Sequence, residues 1–215
     1  MRKLLLLRPE PGLSASADRA RRLGIDAICC PLFRVEPVSW EVPDTAGYDA
    51  LLLTSANAVR HAGPGLLRLL QLPVHAVGNA TAEAARAAGL RIESIGSSNI
   101  AELLTTLPSG LRLLHLAAED HVQTDDRRIV RRIVYRAAAV PDPGLPSLGG
   151  LVVAVHSPRA GARLAELAAV RDGTKIAAIS EAAAKACGTG WELVEAAAEP
   201  SDNSLLALAA LLCQT

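Results

Sequence analysis

Aromatic side chains are nearly missing from this chain: two Trp, two Tyr and one Phe make up 2% of its 215 residues. That removes the stacking platforms a single-stranded nucleic-acid binder needs, and no basic stripe takes their place. Net charge is missing too. The 22 Lys and Arg balance 22 Asp and Glu, so no long-range field steers an anionic ligand, and an acidic substrate has to be held by local donors. No apolar run reaches the roughly 20 residues of a membrane span. Leu4 to Leu7 behind Met1-Arg2-Lys3 looks like the start of a signal peptide, but Arg8-Pro9-Glu10 ends it too early. It reads as a buried first strand of a soluble, cytoplasmic protein. The four cysteines, Cys29, Cys30, Cys187 and Cys213, form no CxxC pair and read as small core residues. His61, His75, His115 and His156 are too scattered for a ligand set, so no metal is expected. GxGxxG, GxxxxGK[ST] and GxSxG are all absent, which leaves dinucleotide, nucleotide and serine-hydrolase readings without support.

Apolar residues are plentiful, at 50% of the chain against 20% charged, enough for a packed core of one large or two small domains. Short apolar runs alternate with Ala-rich helical stretches, the rhythm of an α/β fold with parallel sheets. Strands are expected over 3–7, 27–31, 50–53, 74–77, 92–95, 111–116, 151–155, 176–179 and 193–196. Helices are expected over 14–23, 56–70, 80–88, 100–107, 158–168, 181–186 and 204–212.

An internal repeat organises these elements. Ala50-Leu51-Leu52-Leu53-Thr54-Ser55-Ala56-Asn57-Ala58 aligns with Val152-Val153-Ala154-Val155-His156-Ser157-Pro158-Arg159-Ala160, and Ala76-Val77-Gly78-Asn79-Ala80 with Ala178-Ile179-Ser180-Glu181-Ala182. Each copy then closes on a polar cap and a last helix. The first 34 or so residues fall outside the first copy, so they complete the second unit. The expected layout is therefore a discontinuous domain, residues 1–36 with 140–215, and an inserted one, residues 41–136. Two extended linkers, Arg34 to Val38 and Arg136 to Pro146, would join them as a two-stranded hinge beside a ligand cleft.

In this order and spacing, several motifs resemble the uroporphyrinogen-III synthase family. They are Arg8-Pro9, Pro31-Leu32-Phe33, Tyr48 to Val59, Val77-Gly78-Asn79-Ala80-Thr81-Ala82, Ile133-Val134-Tyr135-Arg136, His156-Ser157-Pro158-Arg159-Ala160 and Ala198-Glu199-Pro200-Ser201. The resemblance covers nearly the whole chain and implies two flavodoxin-like domains around a cleft. Two departures stand out. Ile179-Ser180-Glu181-Ala182-Ala183 replaces a turn that carries Gly and Thr in many members, with Ser180 as the substitute. The short stretch between Leu116 and Ile129 leaves little space for a helix common in the family, which predicts a domain trimmed at one edge.

What the resemblance implies chemically is a cofactor-free hydro-lyase of tetrapyrrole biosynthesis, the route to haem, sirohaem, cobalamin and chlorophyll. It would cyclise hydroxymethylbilane to uroporphyrinogen III, losing water and inverting ring D through a spiro intermediate. It implies a monomer whose partners are the tetrapyrrole and, transiently, hydroxymethylbilane synthase, with neither nucleic acid nor membrane. The eight carboxylates of the substrate call for donors at the turns after the strands. These turns are Thr54-Ser55-Ala56-Asn57, Gly78-Asn79-Ala80-Thr81, Ser97-Ser98-Asn99, His156-Ser157, Ser180-Glu181 and Ser201-Asp202-Asn203. Arg8, Thr54, Ser55, Gly78, Asn79, Thr81, Ser157, Arg159 and Ser180 are the expected substrate contacts, though each polar turn also serves as a helix cap. Tyr135, at the family's tyrosine position, is the expected catalytic acid; Glu119, Asp120 and His121 are alternative acids. A non-catalytic two-domain binding protein and an inactive paralogue remain the competing readings.

Overall fold

The computed structural model describes residues 1–96, 99–121 and 124–215. Its contacts divide the chain into two compact units: Met1–Arg34 with Ala138–Thr215, and Val35–Ala137.

The first unit is built on β1 (Lys3–Leu6), β2 (Ala27–Cys29), β9 (Leu151–Val155), β10 (Lys175–Ala178) and β11 (Leu193–Ala196), in the order β11-β10-β9-β1-β2 with every pair parallel. Leu4, Leu5 and Leu6 and all of Val152 to Val155 are fully buried, because helices cover both faces of the sheet. One face packs on α1 (Gly12–Arg22) and α7 (Asp202–Gln214) through Leu13, Ala20, Leu205, Leu206 and Ala209. Beyond this sheet, α5 (Pro158–Leu167) and α6 (Glu181–Ala186) cross so closely that a Cβ on Gly161 would stand 2.8 Å from the Ala183 carbonyl oxygen.

The second unit contains β3 (Phe33–Pro37), β4 (Ala50–Leu53), β5 (Val74–Val77), β6 (Ile92–Gly96), β7 (Leu113–Ala118) and β8 (Ile129–Ala139), in the order β3-β8-β7-β4-β5-β6. The steps from β8 through β6 are all parallel. α2 (Ala56–His61) and α3 (Asn79–Ala87) pack on the face carrying Leu51 and Leu53, and α4 (Ile100–Thr106) packs on the face carrying Leu52.

The two sheets share one arrangement. β6-β5-β4-β7-β8 matches β11-β10-β9-β1-β2 strand for strand, except that the chain takes up the matched strands first at β4 in the second unit and at β1 in the first. The strand pair at one end of the sheet is linked by α1 in the first unit. In the second it is linked by residues 119–128, which contain no helix among the described residues. In both sheets the strand order reverses beside the first strand of the repeat: between β9 and β1, and between β4 and β7.

Several expectations need correction. Arg34 to Val38 and Arg136 to Ala139, expected as linkers, lie largely within strands β3 and β8. β8 was hidden because Arg131, Arg132 and Arg136 interrupt its apolar pattern. The helix expected over 56–70 stops at His61, where Gly63 takes a φ of 64° and Pro64 lacks an N–H; a 3-10 segment, Gly63–Leu69, follows. Cys29 is exposed; the other three cysteines are buried, and all four are free thiols. No helix among the described residues is long and apolar enough to cross a membrane.

Candidate functional site

In open parallel sheets ligands gather outside the carboxyl ends of the strands, at the point where strand order reverses. In the second unit that point holds a cavity of about 340 Å³. Thr54 and Ser55 reach it from the end of β4, His115 and Ala118 from β7, Tyr135 from β8, and Asn99 with Ile100 from the start of α4; Val77, Asp120 and His121 complete the lining. A larger groove of about 860 Å³, between Trp40 and Val42 on one side and His61 to Arg68 on the other, touches the sheet only at Pro37, the end of the edge strand β3, and not at the reversal point. Its Trp40 indole donates to the Ala62 carbonyl at 2.9 Å and so serves the fold; the smaller cavity is the stronger candidate.

The cavity wall is unusual in carrying a buried imidazole. His115 is 1% exposed between Leu114 and Leu116, each 0% exposed. Its Nε2 lies 3.1 Å from Thr54 Oγ1, while its Nδ1 is buried with no hydrogen-bond partner among the described residues. Burial, helped by the nearby Arg131 and His121, pushes His115 down to about 4, so the ring is neutral at pH 7. The His121 ring stands edge-on to it at 6.4 Å. Its Nδ1 is 2.9 Å from the Ala118 carbonyl, which can only accept, so Nδ1 carries the proton and donates it. Tyr135 is half-buried, with its ring 6.1 Å from that of His61.

The expected contacts of this unit do not all converge. Thr54, Ser55 and Tyr135 line the cavity; Gly78, Asn79 and Thr81 do not. Gly78 opens α3 with a φ of 81°, a conformation that favours glycine. Asn79 is exposed, and Thr81 is buried at 5% exposure. Ser55 and Asn99 accept from the backbone N–H of Asn57 and Glu102 at 3.2 and 2.9 Å, as helix caps. Ser97 and Ser98 of the predicted turn lie outside the described residues. His115 escaped the reading of the sequence because it was weighed only as a metal ligand, with His61, His75 and His156. The available signal was one imidazole inside the apolar run Leu113 to Leu116.

The corresponding place in the first unit is filled from within. Asp202, opening α7, takes donors on both carboxylate oxygens. Arg8 Nη1 donates to Oδ1 at 3.1 Å, the Ser16 hydroxyl at 2.7 Å and His156 Nε2 at 2.8 Å, while Arg19 donates to Oδ2. Burial pushes the Asp202 carboxyl up, but Ser16, His156 and Arg8 together hold it below its ordinary value. Burial and then Arg8 push His156 down, against the pull of Asp202. Arg8, expected as an open anion donor, is thus turned to an internal carboxylate. Arg159 is exposed at the start of α5 with its guanidinium 4.6 Å above the Phe33 ring. Ser157 and Ser180 cap α5 and α6, accepting from Ala160 and Ala183 at 3.1 and 3.3 Å. Among the described residues no group of three or more His, Cys, Asp or Glu side chains is placed to hold a metal ion.

Comparison with known proteins points one way. Residues 14–207 match the family model described as uroporphyrinogen-III synthase HemD. Among solved structures, the chain resembles a uroporphyrinogen-III synthetase from Helicobacter pylori, at 17% identity and a TM-score of 0.70, over 99% of this chain and 100% of that one. It also resembles a mutant uroporphyrinogen III synthase from the extremely thermophilic bacterium Thermus thermophilus, at 18% identity and a TM-score of 0.58, over 99% and 100%. No curated protein sequence matches significantly.

Proposed function

The chain belongs to the uroporphyrinogen-III synthase family, and from that premise we propose how its residues serve the cyclisation of hydroxymethylbilane. The activity is that of the family: the linear tetrapyrrole closes with loss of water and inversion of ring D, giving uroporphyrinogen III. Departure of the hydroxymethyl oxygen leaves an azafulvenium cation. The substituted carbon of the last pyrrole attacks it, and a spiro intermediate then fragments and recloses. Because the pyrrole nitrogens drive these steps, the protein has to fold the chain of rings into a reactive geometry and help hydroxide leave.

Tyr135 is the proposed acid. A phenol is roughly five orders of magnitude more acidic than water, so its proton assists a departing hydroxide. The observation that carries this reading is the convergence of Tyr135 with Thr54 and Ser55 on one cavity at the strand-order reversal of β4 and β7. At about 340 Å³ the cavity is near the small end of ligand pockets, sized for part of the tetrapyrrole. Ser157, Arg159 and Ser180 of the other unit are the proposed contacts for the remaining carboxylates. Arg159, exposed at the first turn of α5, is the favoured charged donor there. The acidic, water-borne substrate suits a cytoplasmic monomer that receives it by transient contact with hydroxymethylbilane synthase.

The test is to mix purified protein with fresh hydroxymethylbilane and resolve the ring isomers. The type III isomer is expected, and type I alone would end the synthase reading. Tyr135→Phe should lower turnover about 10²-fold or more at little cost in stability, within the usual range for a lost general acid. Undiminished turnover would remove Tyr135 from the mechanism.

A further inference from the structure

Among the described residues, His115 is buried more deeply than any other polar group of the cavity wall, and one of its nitrogens has no hydrogen-bond partner. A neutral imidazole carries one proton for two nitrogens, so its two tautomers give opposite instructions to Thr54. With the proton on Nδ1, an N–H would be buried without an acceptor, and Nε2 could only accept the Thr54 hydroxyl proton. Thr54 would then present lone pairs to the cavity and repel a carboxylate. With the proton on Nε2, the ring donates to Thr54 Oγ1 and only a lone pair stays unmet, the lesser penalty, since orphaned buried N–H groups are the rarer kind.

The neighbouring strand favours the second arrangement. Arg131 stands in register with His115 across β7 and β8, and its Nε is likewise buried without a partner among the described residues. A cationic N–H donor on one strand is matched in sense by a lone pair on the other, and opposed by a second N–H. Burial, with the same cation and His121, keeps the imidazole neutral, so the choice between tautomers persists throughout the neutral range.

Resting on the synthase reading, we propose that His115 is a positioning residue: by donating from Nε2 to Thr54 Oγ1, it turns the Thr54 hydroxyl into a hydrogen-bond donor for a carboxylate of the tetrapyrrole. His115 does not touch the substrate; it sets the polarity of the group that does. The occupant of this subsite is an acceptor-only anion, which distinguishes it from the leaving hydroxyl assigned to Tyr135.

Two measurements test this. The ¹⁵N shifts of the His115 ring between pH 6 and 8 should report the Nε2–H tautomer; an Nδ1–H ring overturns the proposal. Titration with uroporphyrin III, a stable octacarboxylate probe, should show affinity weakened about tenfold in His115→Met and equally in Thr54→Val, as for one hydrogen bond to a charged group. The double variant should be no weaker than either single one, whereas multiplied losses would mean that the two side chains act independently. His115→Gln restores a side-chain N–H and should recover most of the affinity; loss equal to that of His115→Met overturns the proposal. Should His115→Met fold poorly, Thr54→Val with Thr54→Ser as its control carries the same test. The isomer assay is separate: type I alone from the parent protein ends the synthase reading, while tautomer and titration still decide the role of His115.

Discussion

Asp202 gathers donors from both ends of the chain, so its removal should loosen the first unit specifically. Arg8, Ser16 and Arg19 come from the N-terminal segment, and His156 comes from the turn after β9. Breaking a buried ion pair by deleting one partner costs about 3–5 kcal/mol. The Asp202 side chain is 15% exposed, but Arg8 and Arg19 are 30% and 40% exposed, so solvent answers part of their stranded charge. About 2–3 kcal/mol is therefore expected for Asp202→Ala, with roughly half that for Asp202→Asn, whose amide oxygen still accepts from Ser16 and His156. For a chain of this length each kcal/mol shifts Tm by roughly 2–4 °C, which places Asp202→Ala about 5–10 °C below the parent at pH 7. Calorimetry or circular dichroism reads this directly. Because the folded carboxyl is held below its ordinary value, its stabilisation is complete above about pH 4 and is lost as pH falls through the folded pKa. The gap between parent and variant should persist down to about pH 4 and close below it. An Asp202→Ala protein melting within 2 °C of the parent at pH 7 would refute the view that this carboxylate ties the two segments together.

His115 makes a second acid-sensitive contribution with an earlier onset. Its folded pKa of about 4 lies below the unfolded value of about 6.5, so the unfolded state takes up the proton first. Stability should fall as pH drops below about 6.5, by about 2 kcal/mol at pH 5 and about 3 kcal/mol by pH 4. Urea unfolding across this range should show a shallower slope in His115→Gln; an unchanged slope would mean that the imidazole titrates normally. Gly161→Ala would put a Cβ 2.8 Å from the Ala183 carbonyl oxygen and 3.0 Å from Cys187 Sγ. Separating α5 from α6 should cost about 1–3 kcal/mol, measurable as a lowered urea midpoint, and an unaltered midpoint would show that the helices can part freely.

The legible part of the fold was the part that burial writes into the sequence. Leu4 to Leu6, Leu51 to Leu53 and Val152 to Val155 are covered on both faces, so they stand out as unbroken apolar runs. The repeat between 50–58 and 152–160 marked the equivalent strand and helix in each sheet. β8 was not legible as a strand, because most of its positions are only half-buried and its arginines satisfy their charge through partners distant in sequence or along the strand. Arg136 pairs with Glu36, and Arg131 with the Thr124 carbonyl. The site divides in the same way. Thr54, Ser55 and Tyr135 could be named from their motifs, whereas the donor sets of Asp202 and His115 depend on residues brought together only by strand order.

The two sheets share that strand order, yet their reversal points are filled differently. Asn99 and Ser201 cap α4 and α7, so Ile100 occupies the position of Asp202, and Thr54 that of His156. In the first unit α1 bridges β1 and β2 and supplies Ser16 and Arg19 to Asp202, closing the reversal point with a satisfied carboxylate. In the second unit the link from β7 to β8 has no helix among the described residues, and the space beside α4 is the cavity lined by Ile100, His115 and Tyr135. Two differences act together: no counterpart of α1 among the described residues supplies side chains to fill the crevice, and Ile100 stands where Asp202 would place an internal anion to compete for its donors. A neutral imidazole and an unspent hydroxyl then face the cavity, a wall that leaves room for a carboxylate brought by the substrate.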